Sequence, residues 1–255
     1  MAKTVFITGA SSGIGKALAG ELAGRGYDLF LTARRIEILE ELRGALAAAN
    51  PGREISVRAL DVTDHADVAE AIAEAAEKHG GVDIVVANAG LGSTGPIAEG
   101  RFERDRAVIE TNVIGAMATV DPAVALFRRQ GCGQIVGITS VAGYRGLPTT
   151  ASYSASKAAL STYLDAVRVE THHDPITVTI LAPGYIDTPI NQDMPSRPFL
   201  ISVGKGAAIA ADLIERGVAH ATIPRLPWTL LRPLLKVVPS GLLARATPKR
   251  GPRGD

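Results

Sequence analysis

Residues 4–15 read TVFITGASSGIG, and their reading decides the fold. Thr4 to Thr8 are apolar or β-branched throughout, the composition of a strand covered on both faces. Glycines follow at 9, 13 and 15, and apolar residues then recur one helical turn apart at Ile14, Leu18 and Leu22. A strand that passes through glycines into a helix suits a pyrophosphate. The absent side chains let the backbone come close, and the helix N-terminus favours negative charge. The spacing is G-x3-G-x-G rather than the commoner G-x-G-x-x-G, but the physical requirement is shared. Gly9, Ser11, Ser12, Gly13, Ile14 and Gly15 are therefore expected to hold a dinucleotide.

Outward from that turn the pattern repeats. Further strands are predicted at 28–33, 55–60, 83–87, 134–139, 176–182 and 219–223. Helical spacing fills the gaps. Ile36, Leu39, Leu42 and Leu46 mark a second helix that ends before Asn50-Pro51-Gly52. Thr63 and Asp64 are placed to cap an alanine-rich helix that stops at Gly80 and Gly81. This alternation predicts a Rossmann-type α/β fold, one doubly wound parallel sheet of about seven strands with helices on both faces. Residues 1–225 read as a single dinucleotide-binding and catalytic domain. Residues 226–255 read as an apolar helical extension whose last stretch, TPKRGPRGD, is expected to be disordered.

Composition narrows the function. The 255 residues, 46% apolar and 21% charged, suit one well-packed domain. A net charge of +1 gives no reason to expect a nucleic-acid or anionic-membrane partner. The single cysteine, Cys132, cannot form an internal disulfide, which fits a reducing, cytoplasmic location. The sequence shows neither a signal-peptide core nor a window of about 18 apolar residues that would span a membrane. His172 and His173 have no third ligand near them, so no metal is expected.

The choice of dinucleotide falls on the end of the second strand. An NAD site places a carboxylate there, about 20 residues past the loop, to accept from the ribose hydroxyls. Here the strand ends in Arg34-Arg35, and a guanidinium would instead meet a 2′-phosphate. Arginine is otherwise a poor opening for a helix, whose dipole prefers anions. NADP(H) is therefore favoured over NAD(H).

The stretch YSASK, residues 153–157, carries the candidate chemistry. Tyr153 and Lys157 lie one helical turn apart and share a face. An ammonium beside a phenol favours the phenolate and lowers a pKa that is ordinarily about 10. The pattern is common by itself. It gains weight from Ser140, which ends the fifth strand at the carboxyl edge where parallel sheets bind ligands.

With Asp61-Val62, Asn88-Ala89-Gly90, Asn112 and Pro183-Gly184, these residues resemble the short-chain dehydrogenase/reductase family, in order and spacing from residue 4 to about 190. The resemblance implies carbonyl reduction or the reverse reaction. Tyr153 would pass a proton to the carbonyl oxygen, Ser140 would hydrogen-bond that oxygen, and Lys157 would bind the nicotinamide ribose and depress the tyrosine pKa. Asn112 would hold a water in a proton relay. Asp61 and Val62 would contact adenine, and Asn88, Ala89 and Gly90 would wall the pyrophosphate and ribose. The loop of Pro183, Gly184, Ile186 and Thr188 would hold the carboxamide. A homodimer or other homo-oligomer is also implied.

The chain departs from the family pattern in places. Serine rather than a basic residue precedes Gly13, leaving Arg34 as the main support for a 2′-phosphate. The end of the chain replaces the family's glycine-rich final strand. Trp228, Leu231, Leu234, Leu235 and Val238 would form an apolar stripe there, flanked by Arg232 and Lys236. Its possible fates are capping its own cleft, packing in a dimer, or peripheral contact with a membrane surface; the first two rank ahead. A lid is expected over 190–200, with Pro195, Pro198 and Phe199 making it apolar. With Leu91, Tyr144, Leu147 and Tyr185 this favours an apolar ketone, aldehyde or secondary alcohol as the small-molecule substrate. Two other readings stand beside the reductase: a catalytically silent NADP-binding regulatory protein, and a membrane-peripheral lipid- or steroid-type dehydrogenase.

Overall fold

The computed structural model describes residues 2–194 and 196–245; the tail TPKRGPRGD and Pro195 of the expected lid lie outside the described residues. The first half contains β1 (Thr4–Thr8), α1 (Gly13–Gly24), β2 (Asp28–Ala33), α2 (Ile36–Ala49), β3 (Ile55–Ala59), α3 (His65–His79) and β4 (Ile84–Ala87). The second contains α4 (Phe102–Ile109), α5 (Gly115–Gln130), β5 (Gly133–Ile138), α6 (Ala151–Glu170), β6 (Ile176–Pro183), α7 (Val203–Glu215) and β7 (His220–Ile223). Two further helices, α8 (Trp228–Val237) and α9 (Ser240–Arg245), follow the sheet. The seven strands are parallel and lie in the order β3-β2-β1-β4-β5-β6-β7. This is the doubly wound fold expected from the alternating pattern, with strand boundaries shifted by a residue or so.

The continuous apolar strands are explained by two cores. Successive strand residues point to opposite faces. In β1, Val5 and Ile7 therefore join Leu18, Leu22, Leu39 and Leu213 beneath α1, α2 and α7. Phe6 faces the other way, into a core with Phe30, Val120, Phe127 and Leu164 beneath α3, α5 and α6. Phe6 and Phe30 stack with ring centroids 5.6 Å apart. Local signals set the helix ends: the Asp64 carboxylate caps α3 by accepting from the Asp67 N–H at 3.2 Å, and Gly80 ends it in the left-handed conformation.

One tie positions the functional end of the sheet. The Thr8 hydroxyl accepts from the N–H groups of Asn88 and Ala89 at 3.0 and 3.1 Å. In return the Asn88 amide donates to the carbonyls of Thr8 at 2.8 Å and Gly9 at 3.2 Å. Gly15 sits against this tie. A Cβ there would collide with the Asn88 side-chain nitrogen and lie 2.6 Å from the Gly9 carbonyl oxygen. Gly15→Ala is accordingly expected to destabilise the fold by about 1–3 kcal/mol, read as a lowered midpoint in thermal or denaturant unfolding. Stability equal to the wild type would show that the turn is not held by this contact.

Candidate active site

The strand order reverses between β1 and β4, and a crevice opens at the carboxyl ends where their following segments part. A cleft of about 430 Å³ lies there. The glycine turn forms its floor through Gly9, Ser11, Ser12, Gly13 and Ile14, while Gly15 stands just behind the wall. Gly9 and Gly13 adopt φ of +69° and +54°, open to glycine with little strain. A Cβ on Gly9 would also come within 2.8 Å of the Ala89 Cα, so a side chain is barred twice over.

One end of the cleft is cationic. Arg34 and Arg35 line it where β2 ends. Arg35 donates to the Ser11 hydroxyl at 3.1 Å. Arg34 reaches Asp61 only at 3.9 Å, with both side chains well exposed, so this pair leaves its guanidinium largely uncommitted. Asp61 and Val62 line the same end. The Asp61 carboxylate also accepts from the N–H and hydroxyl of Thr63 at 3.0 and 2.8 Å, which makes it a turn cap as well as a wall.

The other end brings together the groups of the expected reaction. Ser140, Tyr153 and Lys157 all line the cleft, with Asn88, Ala89 and Gly90 opposite and Pro183, Gly184, Ile186 and Thr188 beyond them. Asn112 does not line it. It lies fully buried behind Gly90, in a π-helical turn (Glu110–Ile114) between α4 and α5. Its side chain accepts from the Leu91 N–H at 2.7 Å and donates to the Leu91 carbonyl at 2.9 Å and the Ser156 hydroxyl at 3.0 Å. The amide expected to hold a water is thus engaged with protein, and it fixes the 88–91 strap. Thr188 likewise turns its hydroxyl to the Ile186 carbonyl at 3.1 Å.

The proton-handling groups are tuned differently from the sequence expectation. Burial raises the Tyr153 phenol above its ordinary value; the neighbouring Ser140 hydroxyl opposes that rise, and charge repulsion from Tyr185 adds to it. Lys157 lies over the Tyr153 ring, its Nζ 5.8 Å from the centroid, and donates to the Ile138 carbonyl at 2.9 Å. Burial pulls this lysine down to about 8. A shared helix face therefore does not bring ammonium and phenol oxygen into contact, and a depressed tyrosine is not seen. Ser140 accepts from the Ala142 N–H at 3.1 Å and donates to the Pro183 carbonyl at 3.3 Å.

A second cavity, of about 230 Å³, opens on the far side of Ser140 and Tyr153, which line both spaces. Leu147, Tyr185, Met194 and Pro198 make it apolar, and Trp228 and Leu235 close it from α8. Trp228 is buried, with Phe199 and Tyr185 at ring-centroid distances of 5.6 and 6.2 Å. The helical extension therefore caps its own cleft. Its stripe is split, however: Trp228 turns inward, whereas Leu234 is 53% exposed on the opposite face. Tyr144, expected at the substrate, instead meets His220 at 3.3 Å and the Arg232 guanidinium at 5.2 Å from its ring. Sequence reasoning missed Thr111 and Thr139 in the cleft and Arg145 in the apolar cavity. Each lies within a few residues of a motif that was recognised, and only the folded path shows which neighbours face inward.

Known proteins resemble this chain along most of its length. The family model described as short chain dehydrogenase matches residues 3–198. An oxidoreductase of Mycobacterium tuberculosis is 37% identical over 242 residues, covering 94% of this chain and 96% of the relative. Among solved structures, an alcohol dehydrogenase from the archaeon Thermococcus sibiricus, complexed with 5-hydroxy-NADP, is 30% identical. It superposes with a TM-score of 0.79 over 87% of this chain and 96% of that one. An actinorhodin polyketide ketoreductase variant with NADPH is 29% identical, with a TM-score of 0.79 over 87% and 95%. With the cleft, its glycine turn and the Ser140–Tyr153–Lys157 group in one fold, this chain belongs to the short-chain dehydrogenase/reductase family of NAD(P)-dependent oxidoreductases.

Proposed function

We propose that the protein interconverts an apolar ketone or aldehyde and its alcohol with NADP(H). The observation that carries this reading is that Ser140 and Tyr153 stand where the two cavities meet, so one reacting carbon can face both. The cleft fits a dinucleotide by its chemistry. Its floor excludes side chains at Gly9, and its far end offers two guanidinium groups suited to a phosphate. Two similar structures were solved with NADP-type nucleotides, which supports the same choice here.

In this reading Ser11, Ser12 and the α1 N-terminus hold the pyrophosphate, and Arg34 and Arg35 hold the 2′-phosphate. Asp61 and Val62 bracket the adenine, Lys157 binds the nicotinamide ribose, and the 183–188 loop holds the carboxamide. The bound nicotinamide supplies or receives the hydride. A carbonyl oxygen entering from the apolar cavity is met by Ser140, whose hydroxyl swings from its long 3.3 Å bond with the Pro183 carbonyl. Tyr153 then gives that oxygen its proton, completing the alcohol; oxidation returns the proton to Tyr153. Because burial keeps the phenol protonated, it is loaded for reduction. The apolar walls exclude water and accept a substrate without charge.

Three measurements test this reading. NADPH consumption against a panel of apolar ketones and aldehydes should find turnover, and Tyr153→Phe should lower kcat by about 100-fold or more with unchanged melting. Undiminished turnover in that variant would refute the proton role. Arg34→Ala should shrink the preference for NADPH over NADH by about tenfold or more, the worth of a charge-assisted hydrogen bond; an unchanged ratio, also in the double variant with Arg35→Ala, would remove the 2′-phosphate assignment.

The third concerns pH. Lys157 sits at about 8 in the fold against an ordinary value of 10.5, so between these the unfolded chain binds the extra proton. By linkage, this group makes stability rise with pH across that window. The wild type should therefore gain stability relative to Lys157→Met between about pH 8 and pH 10, as measured by denaturant unfolding. A difference that stays flat or runs the other way would contradict the buried, depressed lysine.

A further inference from the structure

Charge is unevenly distributed along this nearly neutral chain. From Arg216 onward the sequence carries eight of the 27 Lys and Arg residues and only one of the 26 Asp and Glu, Asp255. The preceding 215 residues, with 19 basic and 25 acidic residues, are net acidic. The cationic segment contains α8, which is apolar on two opposite faces. Trp228, Leu231 and Leu235 face the protein, whereas Leu230, Leu234 and Val237 recur one turn apart on the outer face, 53–73% exposed. Leu226, just ahead of the helix, is 65% exposed. A helix apolar on both sides has one partner already and lacks the second. Arg225 and Lys236 are exposed beside this outer face, and neither forms an ion pair with a described residue.

We propose that the outer face of α8 docks on an anionic phospholipid bilayer, with Leu226, Leu230, Leu234 and Val237 entering the headgroup boundary and Arg225 and Lys236 meeting lipid phosphates. An apolar stripe flanked by cations, on a helix too short to span, is the chemistry of interfacial binding. Charge decides against a second copy of the chain: pairing this face with itself would bring two cationic segments together, whereas an anionic surface neutralises them. Among the described residues no helix is long and apolar enough to cross a membrane, so the contact is peripheral. The other side of α8 roofs the apolar cavity through Trp228 and Leu235, which would set the substrate chamber close to the lipid. The docking itself does not depend on the proposed reaction.

Co-sedimentation of the full chain with vesicles tests this. Binding is expected to vesicles of phosphatidylcholine mixed with phosphatidylglycerol, to weaken as salt rises, and to be absent with phosphatidylcholine alone. Leu230→Ser with Leu234→Ser, both on the outer face, should lower partitioning by about tenfold or more at unchanged melting temperature. Arg225→Gln with Lys236→Gln should lower it by about fivefold or more. Failure to bind the mixed vesicles, or binding that neither double variant weakens, overturns the proposal. So does a dimer, seen by size exclusion, that the leucine variant dissolves while vesicle binding is absent; the face would then join two copies.

Discussion

The exchange of hydrogen bonds between Thr8 and Asn88 is the constraint on which the site depends. β1 and β4 are neighbours in the sheet, yet the chain leaves them toward different helices. Without a cross-tie their carboxyl ends would be two separate loops. Thr8 receives two backbone N–H groups from the β4 side, and the Asn88 amide returns to two backbone carbonyls on the β1 side. The glycine turn and the 88–91 strap thereby become one rigid piece. Asn112 extends it, pinning Leu91 through both its N–H and its carbonyl and reaching Ser156 on the tyrosine-bearing helix. A continuous polar path thus runs from the glycine turn to α6, made of bonds whose loss inside a low-dielectric interior is costly.

The same interior explains the tuning of the proton-handling pair. Desolvation penalises the charged form of either group, so it raises a phenol and lowers an ammonium. Both shifts occur: Tyr153 is raised, while Lys157 falls to about 8. Burial has driven an acid and a base toward their neutral forms, in spite of the helical spacing that brings them near each other. Ser140 acts in the opposite sense, its neighbouring hydroxyl drawing the phenol back down. The balance between a buried ring and a neighbouring hydroxyl, more than the lysine charge, sets the resting state of Tyr153.

Much of this architecture was readable from residue order because its determinants are local. The strands were found from unbroken apolar runs, since a parallel sheet is buried on both faces, and the glycine turn from the absence of side chains. Lys157 and Tyr153 were found by spacing along one helix, and Ser140 by its place at a strand end. What spacing could not supply was direction. Tyr144 stands close to the site in sequence but turns to His220 and Arg232, while Arg145 beside it enters the cavity. Leu234 and Leu235 are consecutive, yet one faces solvent and the other the apolar cavity. The tyrosine acidity went astray for a related reason: helical spacing specifies a shared face, not the distance between an ammonium and a phenol oxygen. The role of Asn112 was likewise unreadable, because its partners come from a strap 21 residues away and from α6.

Trp228 packs so closely on Gly184 that a Cβ at that glycine would run into the indole. This contact joins two regions with separate histories in the growing chain. All seven strands, the glycine turn and the Ser140–Tyr153–Lys157 group precede residue 224, whereas the wall that Trp228 and Leu235 contribute to the apolar cavity comes after it. During synthesis every residue lining the larger cleft has therefore emerged while the apolar cavity beside it still lacks a roof. Gly184, which lines both spaces, meets this roof by having no side chain to put in the way.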